Sequence, residues 1–96
     1  MNEIQQYLGK EKKILSQISA AQIKNLLNCL SETREQKGRV FCLGGGGGAA
    51  HASHRVNDLR KICAIEAYAP TDNVAELTAR INDDGWGSSY KNWLRL

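Results

Sequence analysis

Five consecutive glycines, Gly44 through Gly48, constrain this 96-residue chain more than any other feature. Glycine favours neither helix nor strand interiors, but it lets a backbone take positive φ and approach other atoms closely. The run is not set in a polar linker. Before it stands Val40-Phe41-Cys42-Leu43, a short apolar run without polar alternation, which predicts a strand buried on both faces. After it comes Ala49-Ala50-His51-Ala52-Ser53-His54-Arg55-Val56-Asn57-Asp58-Leu59-Arg60-Lys61, which predicts a helix opening at Ala49 or Ala50. A strand that runs through glycines into a helix is a recurrent anion-binding device. The first-turn amides lack intrahelical partners, and the helix dipole favours negative charge there.

The rest of the chain supports an α/β reading. Ile4, Tyr7, Leu8, Ile14, Leu15 and Ile18 recur at helical spacing, with Gly9 weakening that helix near its start. Ser19 predicts the cap of a second helix with Ile23, Leu26, Leu27 and Leu30 on its apolar face, closing before Gly38. Ala64-Ile65-Glu66-Ala67-Tyr68 is a second candidate strand, ended by Pro70. Val74, Leu77, Thr78 and Ile81 mark a further helix capped by Thr71 or Asp72. After Asp83-Asp84-Gly85, the residues Trp86, Tyr90, Trp93 and Leu94 predict a last helical face. The order α-α-β-α-β-α-α predicts two leading helices (1–37), then a glycine-loop α/β part (38–96) with parallel strands, together a single partial domain over 1–96. Two parallel strands expose both edges and leave their faces uncovered, so the expected three-layer, Rossmann-type sandwich reads as incomplete. Either another chain supplies further strands or this is the leading part of a larger domain, and the second is favoured.

Composition excludes several classes. Thirteen Lys and Arg against ten Asp and Glu give a net charge of +3, too mild for a dedicated nucleic-acid binder. No apolar run reaches the ~18 residues of a membrane span, and no secretory signal opens the chain, so the expectation is no membrane partner and a cytoplasmic location. Cys29, Cys42 and Cys63 are odd in number and form no Cys-x-x-Cys pair. They are expected to be reduced, buried small hydrophobes.

A P-loop is excluded because no Lys stands at the Ala49-Ala50 positions. Gly44-x-Gly46-x-x-Ala49 matches a dinucleotide fingerprint, with Glu66 about 20 residues on as ribose acceptor. However, about forty helical residues precede its strand, where that fold begins with the strand itself.

The segment from Val40 through the glycines to His54, with Thr71-Asp72-Asn73 and Asn82-Asp83-Asp84-Gly85-Trp86 downstream, resembles the sugar isomerase (SIS) domain. More narrowly it resembles the phosphoheptose (sedoheptulose 7-phosphate) isomerases. The likeness covers essentially the whole chain but only the amino-terminal half of the family domain. The family's loop reads Gly-Asn-Gly-Gly-Ser-Ala-Ala-Asp-Ala-x-His; here Gly45 replaces the Asn, Gly48 the Ser and His51 the Asp. The resemblance implies aldose–ketose isomerisation of a seven-carbon sugar phosphate through an enediol. It places the phosphate on Gly45, Gly46, Gly47, Gly48 and Ala49. It makes His54 and Asp58 the catalytic pair and zinc ligands, with Asp58 as the proton-moving base where the family has Glu. The i,i+4 spacing of those two puts them on one helix face. Asp72 and Asn73 are candidates for orienting sugar hydroxyls, and Thr71-Asp72 serves equally well as a cap. Arg55, Arg60 and Lys61 are candidates for raising the local potential for an anion, although at least two of them are expected to form only a solvated basic face. A homo-oligomer, a tetramer by resemblance, is expected to bury the leading helices and Trp86, Tyr90 and Trp93 between chains. The alternative is a noncatalytic phosphosugar-binding or oligomerisation module, since SIS domains also act as sensors. The family's second half carries a further phosphate loop and more metal ligands, so this chain alone is expected to turn over poorly.

Overall fold

A computed structural model describes residues 2–95. It contains α1 (Glu3–Ser16), α2 (Ala20–Glu35), β1 (Arg39–Phe41), α3 (Gly47–Lys61), β2 (Glu66–Tyr68), a 3-10 turn (Pro70–Asp72), α4 (Val74–Asp84) and α5 (Ser89–Leu94). The chain divides into two compact units, one ending at Ser31 and one beginning at Glu32.

The first unit is helical. The Asn2 side chain accepts from the Gln5 amide at 2.8 Å while Gln5 Oε1 accepts from the Asn2 amide at 3.2 Å, a reciprocal cap that starts α1. The helix runs through Gly9 without a break. As the sequence predicts, Ser19 caps α2, its hydroxyl accepting from the Gln22 amide at 3.2 Å. Among the described residues of α1 and α2, none is fully buried, and Tyr7, Leu15 and Leu26 stay mostly exposed.

The second unit is mixed α/β. α2 ends in a Schellman turn: the Gly38 amide donates to Thr33 O at 2.8 Å and the Lys37 amide to Arg34 O at 3.1 Å. The left-handed position is Lys37, at φ 56°, and not the glycine that follows it. β1 and β2 pair in parallel with Arg39 opposite Glu66, Val40 opposite Ala67 and Phe41 opposite Tyr68. Strand alternation puts Cys42, Ile65, Ala67 and Ala69 on one face, where they are buried with Ala52, Val56 and Leu59 of α3. The other face carries Arg39, Phe41, Glu66 and Tyr68. There Trp93 of α5 meets Phe41 edge-to-face at 6.0 Å and is itself buried.

Several expectations are corrected here. β1 is not buried on both faces, because on the Phe41 side Arg39 and Leu43 are exposed and Phe41 itself is only half-buried. α3 opens at Gly47, two residues before the alanines. Asn73 caps α4, its Oδ1 accepting from the Glu76 amide at 3.1 Å, whereas Thr71 and Asp72 are wound into the 3-10 turn after Pro70. Cys42 is buried, but Cys63 is only partly so and Cys29 is exposed on α2. Trp86 precedes α5 and is exposed, whereas Trp93 on that helix is turned into its own chain. Among the described residues, no helix is long and apolar enough to cross a membrane.

Candidate functional site

Parallel pairing brings the carboxyl ends of β1 and β2 to the same side of the sheet, where open α/β sheets place their ligands. The glycine loop leaves the end of β1; the Ala69–Asn73 segment leaves the end of β2.

The five glycines do different things. A Cβ on Gly44 would lie 2.3 Å from the Gly48 carbonyl oxygen, so the loop closes on itself only with glycine there. Gly46 is the N-cap of α3 at φ 55°, ψ −121°, a conformation that residues with a Cβ avoid. Gly45, Gly47 and Gly48 have open space where a Cβ would stand. The Gly48 and Ala49 amides turn back to the Gly45 and Gly46 carbonyls at 2.9 and 3.1 Å. Among the described residues, the Gly46 and Gly47 amides have no such backbone partner and remain as donors. α1, α2 and α4 are each capped by a side-chain oxygen, while the N-cap of α3 has no side chain and its first turn no acid. Its positive dipole end is therefore not neutralised.

His54 Nε2 lies 3.3 Å from Asp58 Oδ2, one helical turn apart as the spacing predicts. The pair is open to solvent, His54 at 77% and Asp58 at 45% side-chain exposure. At ~100° per residue, His54 points about 190° away from the buried Ala52–Val56–Leu59 stripe. Ser53 and Arg60 flank that stripe on another side. The Ser53 hydroxyl donates to Asp72 Oδ1, tying α3 to the 3-10 turn. Asn73 Oδ1 is held by its cap, which leaves its amide NH₂ as the group available to a ligand. Arg60 Nη1 donates to Ala67 O at 3.3 Å and its guanidinium stacks over Tyr68, so this arginine serves the sheet edge. Arg55 and Lys61 are exposed.

Beyond β2 lies an open groove of about 560 Å³ lined by Arg60, Tyr68, Asp72, Asn73, Val74 and Trp93, among others. Neither the glycine loop nor His54 nor Asp58 lines it. Of the predicted site residues, the structure joins His54 to Asp58 and sets Asp72 beside Asn73, but on different sides of α3. Two contributors have no signal in the sequence pattern. Ser53 reads as an ordinary helical serine, and Tyr90 reaches the loop from 46 residues away, donating to Gly44 O at 2.7 Å.

Among the described residues, no group of three or more His, Cys, Asp or Glu side chains converges as a metal would need. His54 and Asp58 by themselves offer two donors where a catalytic zinc takes about three from protein. The dinucleotide reading is corrected by strand polarity. Glu66 begins β2 and pairs with Arg39, at the end of the sheet opposite the glycine loop, and its carboxylate accepts from the Tyr68 hydroxyl at 2.7 Å. A ribose acceptor belongs at the other end of that strand.

No protein-family model, no curated protein and no solved structure matches this chain.

Proposed function

We propose that this chain is a phosphosugar-binding module of the sugar-isomerase type, with the phosphate held by Gly45–Ala49 at the start of α3. The observation that carries this reading is the loop itself. Gly44 and Gly46 are needed for its shape, whereas Gly45, Gly47 and Gly48 leave open space beside two free amides at an unneutralised helix start. Asp72 and the Asn73 amide, at the end of the neighbouring strand, are the groups for sugar hydroxyls.

In the isomerase form of the proposal, Asp58 carries a proton between adjacent carbons of a seven-carbon sugar phosphate, forming an enediol, and His54 orients it. Zinc, which resemblance attaches to this pair, polarises a carbonyl when bound. With two donors present no step is assigned to it. The three-layer sandwich and the tetramer belong to the same proposal: further strands and helices complete the sheet, and the uncovered apolar faces of α1 and α2 pack between subunits. A second reading, binding without turnover, is favoured by the exposed, outward His54–Asp58 pair, because proton transfer loses ~100-fold for about 1 Å of misplacement.

Calorimetric titration with sedoheptulose 7-phosphate, for the wild type and Gly47→Val, tests the cradle. Saturable binding by the wild type that the variant loses supports it; equal affinity overturns it. Conversion of the same sugar with and without added zinc then separates the two readings, with little turnover expected from these 96 residues.

A further inference from the structure

The two tryptophans are placed in opposite ways. Trp93 is buried in α5 against Phe41, whereas Trp86, in the turn between α4 and α5, is 60% exposed. Trp86 is nonetheless firmly held. Gly85, at φ 87°, closes α4 with its amide on the Ile81 carbonyl and turns the chain. Ser89, only 1% exposed, then donates twice to the Trp86 carbonyl, from its amide at 3.1 Å and from its hydroxyl at 2.7 Å. A buried serine thus fixes the backbone of a residue whose indole is left outside. With two side-chain torsions on a fixed backbone, that indole is a rigid apolar surface that costs little entropy to use.

The indole also belongs to the surroundings of the glycine loop. It meets the Tyr90 ring edge-to-face at 5.5 Å, and the Tyr90 hydroxyl donates to Gly44 O at 2.7 Å. One aromatic ring and one hydrogen bond separate the indole from the loop, a span comparable with a sugar phosphate. The indole does not fill that gap, because no heavy atom lies within 4 Å of where a Cβ would stand on Gly45, Gly47 or Gly48. Every contact that places Trp86 lies between Gly44 and Tyr90, so further strands beside β1 leave it in place.

We propose that Trp86 is the specificity-determining residue beside the cradle, its indole receiving the C–H face of the sugar whose phosphate sits on Gly45–Ala49. The inference rests on the phosphosugar reading above and adds what separates a phosphosugar from free phosphate. Amides at a helix start recognise an anion and nothing else of the ligand. Asp72 and the Asn73 amide take hydroxyls, and the aromatic face takes carbon, the usual division of labour in a small-molecule site. Inorganic phosphate has no part to lay on an indole.

Calorimetry on the full chain with two probes, inorganic phosphate and sedoheptulose 7-phosphate, tests this in the wild type, Trp86→Ala and Trp86→Phe, with circular dichroism confirming their fold. Trp86→Ala should raise the dissociation constant for the sugar phosphate roughly five- to tenfold and leave that for phosphate within about twofold. Trp86→Phe keeps an aromatic face and should stay within about threefold for both. Indole emission of the wild type should change on titration with the sugar phosphate, and the change should vanish in Trp86→Phe, which retains only the buried Trp93. Equal losses for both probes in Trp86→Ala mean that the indole acts only through Tyr90 and the loop, and overturn the proposal. Binding of the sugar phosphate without a change in emission overturns it as well. So does tighter binding of adenosine monophosphate than of the sugar phosphate, which assigns the indole to a base. A wild type that binds neither probe overturns the cradle and this inference together; one that binds both, with Trp86→Ala unaltered, removes only the role of Trp86.

Discussion

The hydroxyl of Tyr90 donates to the carbonyl oxygen of Gly44 at 2.7 Å, joining α5 to the glycine loop across 46 residues. The bond is partly buried and anchors the one glycine whose α-hydrogens face the Gly48 carbonyl. Tyr90→Phe keeps the ring against Trp86, 5.5 Å away, and removes only this bond. The expected loss is about 1 kcal/mol in urea denaturation, together with faster amide exchange over residues 45–48.

The five glycines should separate by substitution. Gly44→Ala forces its Cβ into the backbone of Gly48 and Ala49 and is expected to cost ~2–3 kcal/mol. Gly47→Ala and Gly48→Ala lie in the helix with open space, so each is expected to leave the fold intact or stabilise it by up to about 1 kcal/mol. Thermal unfolding of the three variants checks the order. A phosphosugar affinity that drops in Gly47→Ala or Gly48→Ala then reports on binding and not on folding.

Lys37 and Ala64 hold left-handed conformations, at φ 56° and 55°. Each pays ~1–2 kcal/mol that glycine avoids, against ~0.4–1 kcal/mol of added chain entropy when glycine is introduced. Lys37→Gly and Ala64→Gly are therefore each expected to stabilise the protein by about 0.5–1 kcal/mol, read as a higher urea midpoint.

Asp58→Asn should leave stability within about 0.5 kcal/mol of wild type, because a polar contact this exposed contributes little. The same variant is expected to weaken zinc binding most among single changes in α3. Calorimetry with zinc alone on the wild type, Asp58→Asn and Ser53→Ala checks this; an equal loss in Ser53→Ala points to the wrong side of the helix.

The sequence by itself determined what neighbours in the chain can decide. Helical spacing specified α1, α2 and α4, Ser19 specified the start of α2, and a strand–glycine–helix succession specified that a glycine loop joins β1 to α3. The i,i+4 separation of His54 and Asp58 was equally legible, since one helical turn sets their distance whatever lies around them. Tertiary structure decided the remainder, because it rests on groups far apart in the chain. Only packing shows that Trp93 turns inward while Trp86 stays out, and that Ser53 reaches Asp72. Five identical residues carry no pattern from which to tell that Gly44 is needed for space and Gly46 for its φ. That distinction comes from which backbone atoms meet when the loop closes, and from the tyrosine that holds it shut.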